Sequence, residues 1–149
     1  MDIRSFLAFE LPADIRAVID RVAREVREYH LPVRWVKPQN IHLTVVFLGQ
    51  VSPRTLDAVQ ERARDLCLDF GPFHLRIKGM GTFPDNRRPR VLWLGLDGDL
   101  ERLAVFRDEL QIPLAGLGIK EEKRTFRPHL TLGRFQRVRR GDLSCLLYT

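Results

Sequence analysis

Two short strings in the chain read His-Leu-Thr. They are His42-Leu43-Thr44 and His129-Leu130-Thr131, which stand 87 residues apart. With four His and six Thr in 149 residues, composition alone yields such a doubled pair in about one chain in a hundred. Both strings lie in stretches rich in β-branched and aliphatic residues, so each reads as part of a strand. Residues i and i+2 of a strand face the same side, which projects His42 with Thr44 and His129 with Thr131 while each Leu points the other way. Two imidazoles and two hydroxyls so arranged fit an in-line displacement at phosphorus, which needs a base on the entering oxygen and an acid on the leaving one. Imidazole suits both tasks, because its ordinary pKa of about 6.5 allows one ring to be neutral and another protonated near neutrality. The Thr hydroxyls would donate to the non-bridging oxygens, where charge builds in the transition state. The plain alternative is two half-buried strands whose polar faces meet water. Neither string holds a Ser or Cys nucleophile, and no Asp, Glu or Cys stands nearby to complete a ligand set, so a catalytic triad and a metal centre are disfavoured. His30, beside Pro32, and His74, alternating with Arg76 and Lys78, lack the companion Thr and read as surface or capping residues.

The rest of the chain must position these strings. Residues 4–11 read as a strand, and Pro12 opens a helix whose apolar face is Ile15, Val18, Ile19, Val22 and Val26. Residues 41–51 form a second strand. Ser52-Pro53 then caps a helix with Leu56, Val59, Ala63, Leu66, Cys67 and Phe70 inside, which makes Cys67 a small core residue. Residues 73–78 alternate and residues 91–96 are a mostly apolar strand, with a loop expected over 79–90. A third helix carries Leu100, Leu103, Ala104, Arg107 and Leu110, and Pro113 is expected to end or kink it. Pro128 opens a last strand over 129–135. The order β α β α β β α β does not alternate as simple crossovers, so the fold class is α+β, with mainly antiparallel sheets and helices on their outer faces.

Length and charge narrow the partners. The 149 residues suit one domain over 1–149. Leu, Ile, Val and Phe make up 50 of them, enough for a sizeable core. No apolar stretch reaches the roughly 18 residues of a membrane span, the N-terminal apolar run is too short for a secretory signal, and two Cys suggest neither a disulfide framework nor a zinc site. The expected location is cytoplasmic, with no membrane partner. Net charge is +6, and 21 of the 25 basic residues are Arg, the planar donor suited to phosphates. Either a polyanionic partner or an arginine-rich background composition accounts for this.

Three longer strings carry a resemblance. Trp35-Val-Lys-Pro-Gln-Asn-Ile-His-Leu-Thr-Val-Val-Phe-Leu-Gly49, Phe83-Pro84 followed by Pro89-Arg-Val-Leu-Trp93, and Phe126-Arg-Pro-His-Leu-Thr-Leu-Gly-Arg134 are similar to the LigT-like RNA 2′,3′-cyclic phosphodiesterases. That family lies within the two-histidine (2H) phosphoesterases and was also called 2′-5′ RNA ligases. The resemblance implies a two-lobed, pseudo-two-fold α+β fold with a central cleft, no cofactor and no metal. It also implies hydrolysis of an RNA terminal 2′,3′-cyclic phosphate to a 2′-phosphate. By motif, His42 carries over as general acid, His129 as general base, and Thr44 and Thr131 as phosphate ligands. Arg127 matches a basic position of the second motif, and strand parity favours it if the strand reaches back that far. Arg134 matches too, but parity groups it with Leu130 and Leu132, so it ranks lower. Arg90 is a possible substrate contact, whereas Arg87 and Arg88 read as solvated loop residues.

After the second motif only residues 136–149 remain, fewer than this family usually carries, so the domain reads as shortened at its C-terminus. Arg137, Arg139, Arg140 and the apolar run 143–148 lie there, and because an uncovered sheet edge would favour self-association or poor solubility, the expected state is a monomer or a weak self-associate. The expected partners are RNA ends bearing 2′,3′-cyclic phosphate, or related small cyclic nucleotides. No aromatic cluster is evident, so base preference should be weak. Two other functions fit the same residues: a non-catalytic basic RNA-binding module, and a related phosphodiesterase or ligase acting on 2′-5′ linkages.

Overall fold

The computed structural model describes residues 1–136. It runs β1 (Ile3–Phe9), α1 (Ala13–Arg27), β2 (Val33–Trp35), a 3-10 turn (Pro38–Asn40), β3 (Leu43–Val51), α2 (Pro53–Asp69), β4 (Leu75–Phe83), β5 (Val91–Gly98), α3 (Leu100–Ala115) and β6 (His129–Phe135). Strand β1 pairs with β3, and the other four form a sheet in the order β2-β6-β5-β4. Strand β6 is antiparallel to both its neighbours. The α+β class with antiparallel sheets expected from the element order is what is found. Residues 137–149, on which the expectations about the shortened tail and its arginines rested, lie outside the described residues.

The chain divides into two compact units. The first comprises Met1–Phe9, Thr44–Arg76 and Leu96–Pro128. Its core joins Val45, Val46, Leu48 and Val51 of β3 to Val59 of α2 and to Phe106, Leu110 and Leu114 of α3. Helix α2 starts where its sequence says it should: the Ser52 side chain accepts from Thr55 N at 3.1 Å, and Pro53 occupies the first turn, where no donor is missed. Phe9, Phe70, Phe73 and Phe106 pack ring to ring, with neighbouring centroids from 5.1 to 6.0 Å.

Two polar side chains are buried in this unit, Arg107 and Gln111 of α3. They hold the backbone of the segment that leads towards β6. Gln111 Nε2 donates to Glu122 O at 3.2 Å while its Oε1 accepts from Glu122 N at 2.7 Å. Arg107 donates to Arg124 O at 3.1 Å, and its guanidinium lies 5.2 Å from the centre of the Phe126 ring. Arg107→Met strips the Arg124 carbonyl of this donor, and Gln111→Leu does the same at Glu122. Each is expected to lose about 1–3 kcal/mol of stability, read as a lower denaturant midpoint at unchanged m-value.

The second unit comprises Glu10–Leu43, Ile77–Gly95 and the chain from His129. One face of its sheet is apolar, with Val33, Leu92, Leu94, Leu130 and Leu132 all buried. Helix α1 presents Ile19 and Ala23 as its buried residues, and its last turn places the Arg27 guanidinium 5.3 Å from the centre of the Trp35 ring.

Several local expectations need correction. Strand β4 continues through Gly79-Met80-Gly81 to Phe83, where a loop was expected. Gly79 takes φ +79, which an L side chain rarely adopts, so the glycines that looked like turn punctuation serve an irregular strand. Helix α3 runs through Pro113 to Ala115. The proline falls in its last turn, where its ring disturbs a single helical bond. Cys67 is exposed rather than in the core. His42 sits one residue ahead of β3 instead of within it. His30, at φ 54, closes the end of α1, and His74 is a solvent-facing residue, so both surface readings hold.

Candidate active site

Strand β6 carries the second motif. His129 pairs with Gly95 of β5, Leu130 with Leu94 and Thr131 with Trp93. Directly opposed residues share a face. His129 and Thr131 are therefore on the face of Gly95 and Trp93, and Leu130 is on the buried face with Leu94, as the i, i+2 rule required. His129 and Thr131 are half-buried while Leu130 and Leu132 are closed to solvent.

Past Thr131 the register shifts. Leu92 opposes Gly133 and Val91 opposes Arg134, so Leu132 is an extra residue on β6 with no counterpart on β5. This is a β-bulge, a feature that re-aims side chains. Strand β5 keeps its alternation, with Val91, Trp93 and Gly95 on one face and Leu92 and Leu94 on the other. Arg134, opposite Val91, therefore returns to the face of His129 and Thr131, and Gly133 turns to the apolar face. Exposure agrees: Arg134 is open to solvent and Gly133 is buried. A Cβ on Gly133 would overlap Val33, which is why glycine stands there. Simple parity placed Arg134 with Leu130 and Leu132, and that expectation is overturned. Arg134 opposes Arg34 of β2 on its other side, so Arg34 shares the face as well.

The same face holds an aromatic pair missed by the sequence reading. The Phe83 ring stands edge-on to the His129 imidazole, with centroids 4.9 Å apart and planes at 87°. It also lies 5.0 Å from Trp93. Trp93 covers Gly81, where a Cβ would collide with the indole. The absence of a side chain at Gly81 leaves room for the Trp93 ring, against which Phe83 packs. The sequence signal was available in the spacing of Gly81, Trp93 and Gly95, but only the β4–β5 pairing gives it meaning. Another exposed aromatic pair, Phe6 and Phe47, lies in the first unit with centroids 6.4 Å apart.

His42 is reached from the other side of β6. Val36 N donates to Leu132 O at 2.9 Å, after which the chain leaves the sheet into the 3-10 turn. That turn is closed by Asn40 N on Lys37 O and Ile41 N on Pro38 O, and His42 follows it, half-buried. His42, Arg90, His129, Thr131 and Arg134 belong to the second unit, and Thr44 and Arg127 belong to the first. Arg127 is exposed and precedes Pro128, outside β6, so the parity argument made for it does not apply.

Arg90 is fixed through its backbone, its N–H donating to Phe83 O at 2.7 Å and its carbonyl accepting from Phe135 N at 2.9 Å, while its side chain is exposed. The loop before it is ordered by Asp85, whose Oδ1 accepts from Arg88 N at 2.9 Å and Arg87 N at 2.8 Å. These backbone donors, Arg88 first, hold the Asp85 carboxyl below its ordinary value. Arg87 and Arg88 extend from this turn into solvent.

Comparison with known proteins gives a consistent picture. Residues 9–93 match the family model described as LigT like phosphoesterase. The chain is 33% identical over 146 residues to an RNA 2′,3′-cyclic phosphodiesterase of Aquifex aeolicus, covering 97% of this chain and 77% of that protein. It is 35% identical over 136 residues to a protein of the same name from Archaeoglobus fulgidus, covering 90% and 73%. Among solved structures, E. coli LigT complexed with 3′-AMP superposes with TM-score 0.71 at 30% identity, covering 93% of this chain and 77% of that one. The Thermus thermophilus protein TT0787 superposes with TM-score 0.76 at 28% identity, covering 91% and 76%.

Proposed function

This chain belongs to the LigT like phosphoesterase family, and from that premise we propose that it hydrolyses the 2′,3′-cyclic phosphate at an RNA end to a 2′-phosphate by paired histidine acid–base catalysis. Water attacks phosphorus, and the bond from phosphorus to the ribose O3′ breaks. His129 accepts the proton of the attacking water, and His42 gives a proton to O3′ as it leaves. Turnover leaves His42 neutral and His129 charged, and exchange with solvent restores both. Thr131, on the same face as His129, donates to a non-bridging oxygen, and Thr44 takes the same task by its place in the first motif. Arg134 supplies the positive charge that meets the extra negative charge of the transition state. Arg127 and Arg90 are assigned to the approaching strand.

The observation that carries this reading is the doubled His-Leu-Thr motif in a chain whose relatives bear the name RNA 2′,3′-cyclic phosphodiesterase. Among the described residues no three His, Cys, Asp or Glu side chains gather as they would around a metal ion. No helix among them is long and apolar enough to cross a membrane.

The test is an RNA oligonucleotide ending in 2′,3′-cyclic phosphate, incubated with the protein before and after EDTA treatment. A 2′-phosphomonoester end should appear at the same rate in both, because no step uses a metal to make hydroxide or to hold the leaving oxygen. Loss of turnover in EDTA with recovery on adding zinc or magnesium would make the histidines ligands and sink the mechanism. Binding without any product would favour a non-catalytic RNA-binding module.

A further inference from the structure

Arg34 is the residue the motifs leave out. It lies on β2, one edge of its sheet among the described residues, directly opposite Arg134. Opposed residues of an antiparallel pair have Cα atoms only about 4.5–5.5 Å apart. Like charges so placed destabilise the pairing unless something anionic joins them. Both guanidinium groups are exposed, and among the described residues neither is paired with a carboxylate. The neighbouring strand offers none on this face: opposite Arg134 on β5 stands Val91, then Trp93 and Gly95. An arginine pair with no acid beside it among the described residues, on the face of His129 and Thr131, has the chemistry to receive phosphate oxygens.

Two arginines need not share one phosphate. From Thr131 to Arg134 the face advances two residues of β5, from Trp93 to Val91, which is about 7 Å. Arg134 is therefore the nearer to the reacting phosphorus. Arg34 stands one strand further out, at the rim of the sheet, on the scale that separates successive phosphates of a nucleic-acid strand. We propose that Arg34 binds the backbone phosphate immediately 5′ of the terminal cyclic nucleotide, and so makes this protein select an RNA strand end over a free cyclic mononucleotide. The proposal rests on the cyclic-phosphate reading for which phosphate Arg134 holds. The bulge at Leu132 is what makes it possible, because without the extra residue both arginines would project into the apolar face.

The experiment compares wild type and Arg34→Gln with two product ligands, a nucleoside 2′-phosphate and a trinucleotide RNA ending in 2′-phosphate, each over a range of salt. Wild type should bind the trinucleotide at least about tenfold more tightly, the worth of one charge-assisted contact. Arg34→Gln should remove that advantage and leave the mononucleotide affinity unchanged. The slope of log affinity against log salt for the trinucleotide should become shallower by about 0.7, the share of one phosphate on a single strand. Thermal unfolding should be unchanged or shifted upward, since a like-charge pair is relieved. Arg34→Lys should restore part of the preference. Equal weakening of both ligands would place Arg34 on the same phosphate as Arg134 and overturn the proposal, as would a wild type with no preference. If the preference and its loss are seen but cyclic-phosphate RNA is not hydrolysed, the catalytic reading fails and the Arg34 site stands.

Discussion

His42→Ala and His129→Ala are each expected to slow hydrolysis of a 2′,3′-cyclic phosphate RNA end by about 10²–10⁴-fold, the range for removing a positioned proton carrier. The two changes together should cost far less than the product of the singles, because acid and base serve one displacement and the second loss finds little catalysis left to remove. The pH profile of kcat/KM should be a bell. Rate rises as the base gives up its proton and falls as the acid loses its own. In His42→Ala the descending limb should disappear, and in His129→Ala the ascending one. Each limb thus reports on one residue, which a loss of folding would not do. Wild-type turnover in either variant, measured from initial rates with end-labelled RNA, would remove that histidine from the mechanism. A lowered unfolding midpoint with an intact bell would mark the residue as structural.

The two helix starts and the motif strand β6 were legible because they depend on local chemistry. Ser52 before Pro53 is a cap wherever it occurs, and the apolar spacing of Ile15, Val18, Ile19, Val22 and Val26 requires no partner to be read. The misreadings share a cause: each turns on a neighbour distant in sequence. Gly79-Met80-Gly81 resembles a turn, yet Gly81 is where the Trp93 ring lies flat, and β4 runs on through it. Cys67 fits the spacing of the α2 core face, yet it is exposed because only part of that face is covered. Strand β2 is three residues long, too short for any periodicity, and it is read only through its pairing with β6. The site follows the same division. The partnership of His129 with Thr131 is a two-residue property of one strand, whereas the approach of Phe83 to His129 depends on three strands.

Arg134 sharpens this point into an experiment, because two readings of one residue predict opposite results. By unbroken alternation Arg134 would share the face of Leu130 and Leu132, and its replacement would leave turnover near wild type while disturbing the apolar side of the sheet. With Leu132 bulged, Arg134 opposes Val91 and joins the face of His129 and Thr131. Arg134→Ala is then expected to lower kcat by about 10²–10³-fold, the scale for losing one preorganised donor to a developing oxyanion. KM should change less, since the charge it meets grows only as water adds. Arg134→Lys should recover little, because an ammonium keeps the charge but cannot place two parallel N–H donors on one phosphate. Arg127→Ala, outside the strand, should cost much less in the same assay. Unfolding of Arg134→Ala should match wild type, as the side chain is open to solvent and lies beside Arg34. Full activity in Arg134→Ala would mean that the bulge does not aim this side chain at the reacting phosphate, and the transition-state charge would then have to be met by the Thr hydroxyls and another arginine.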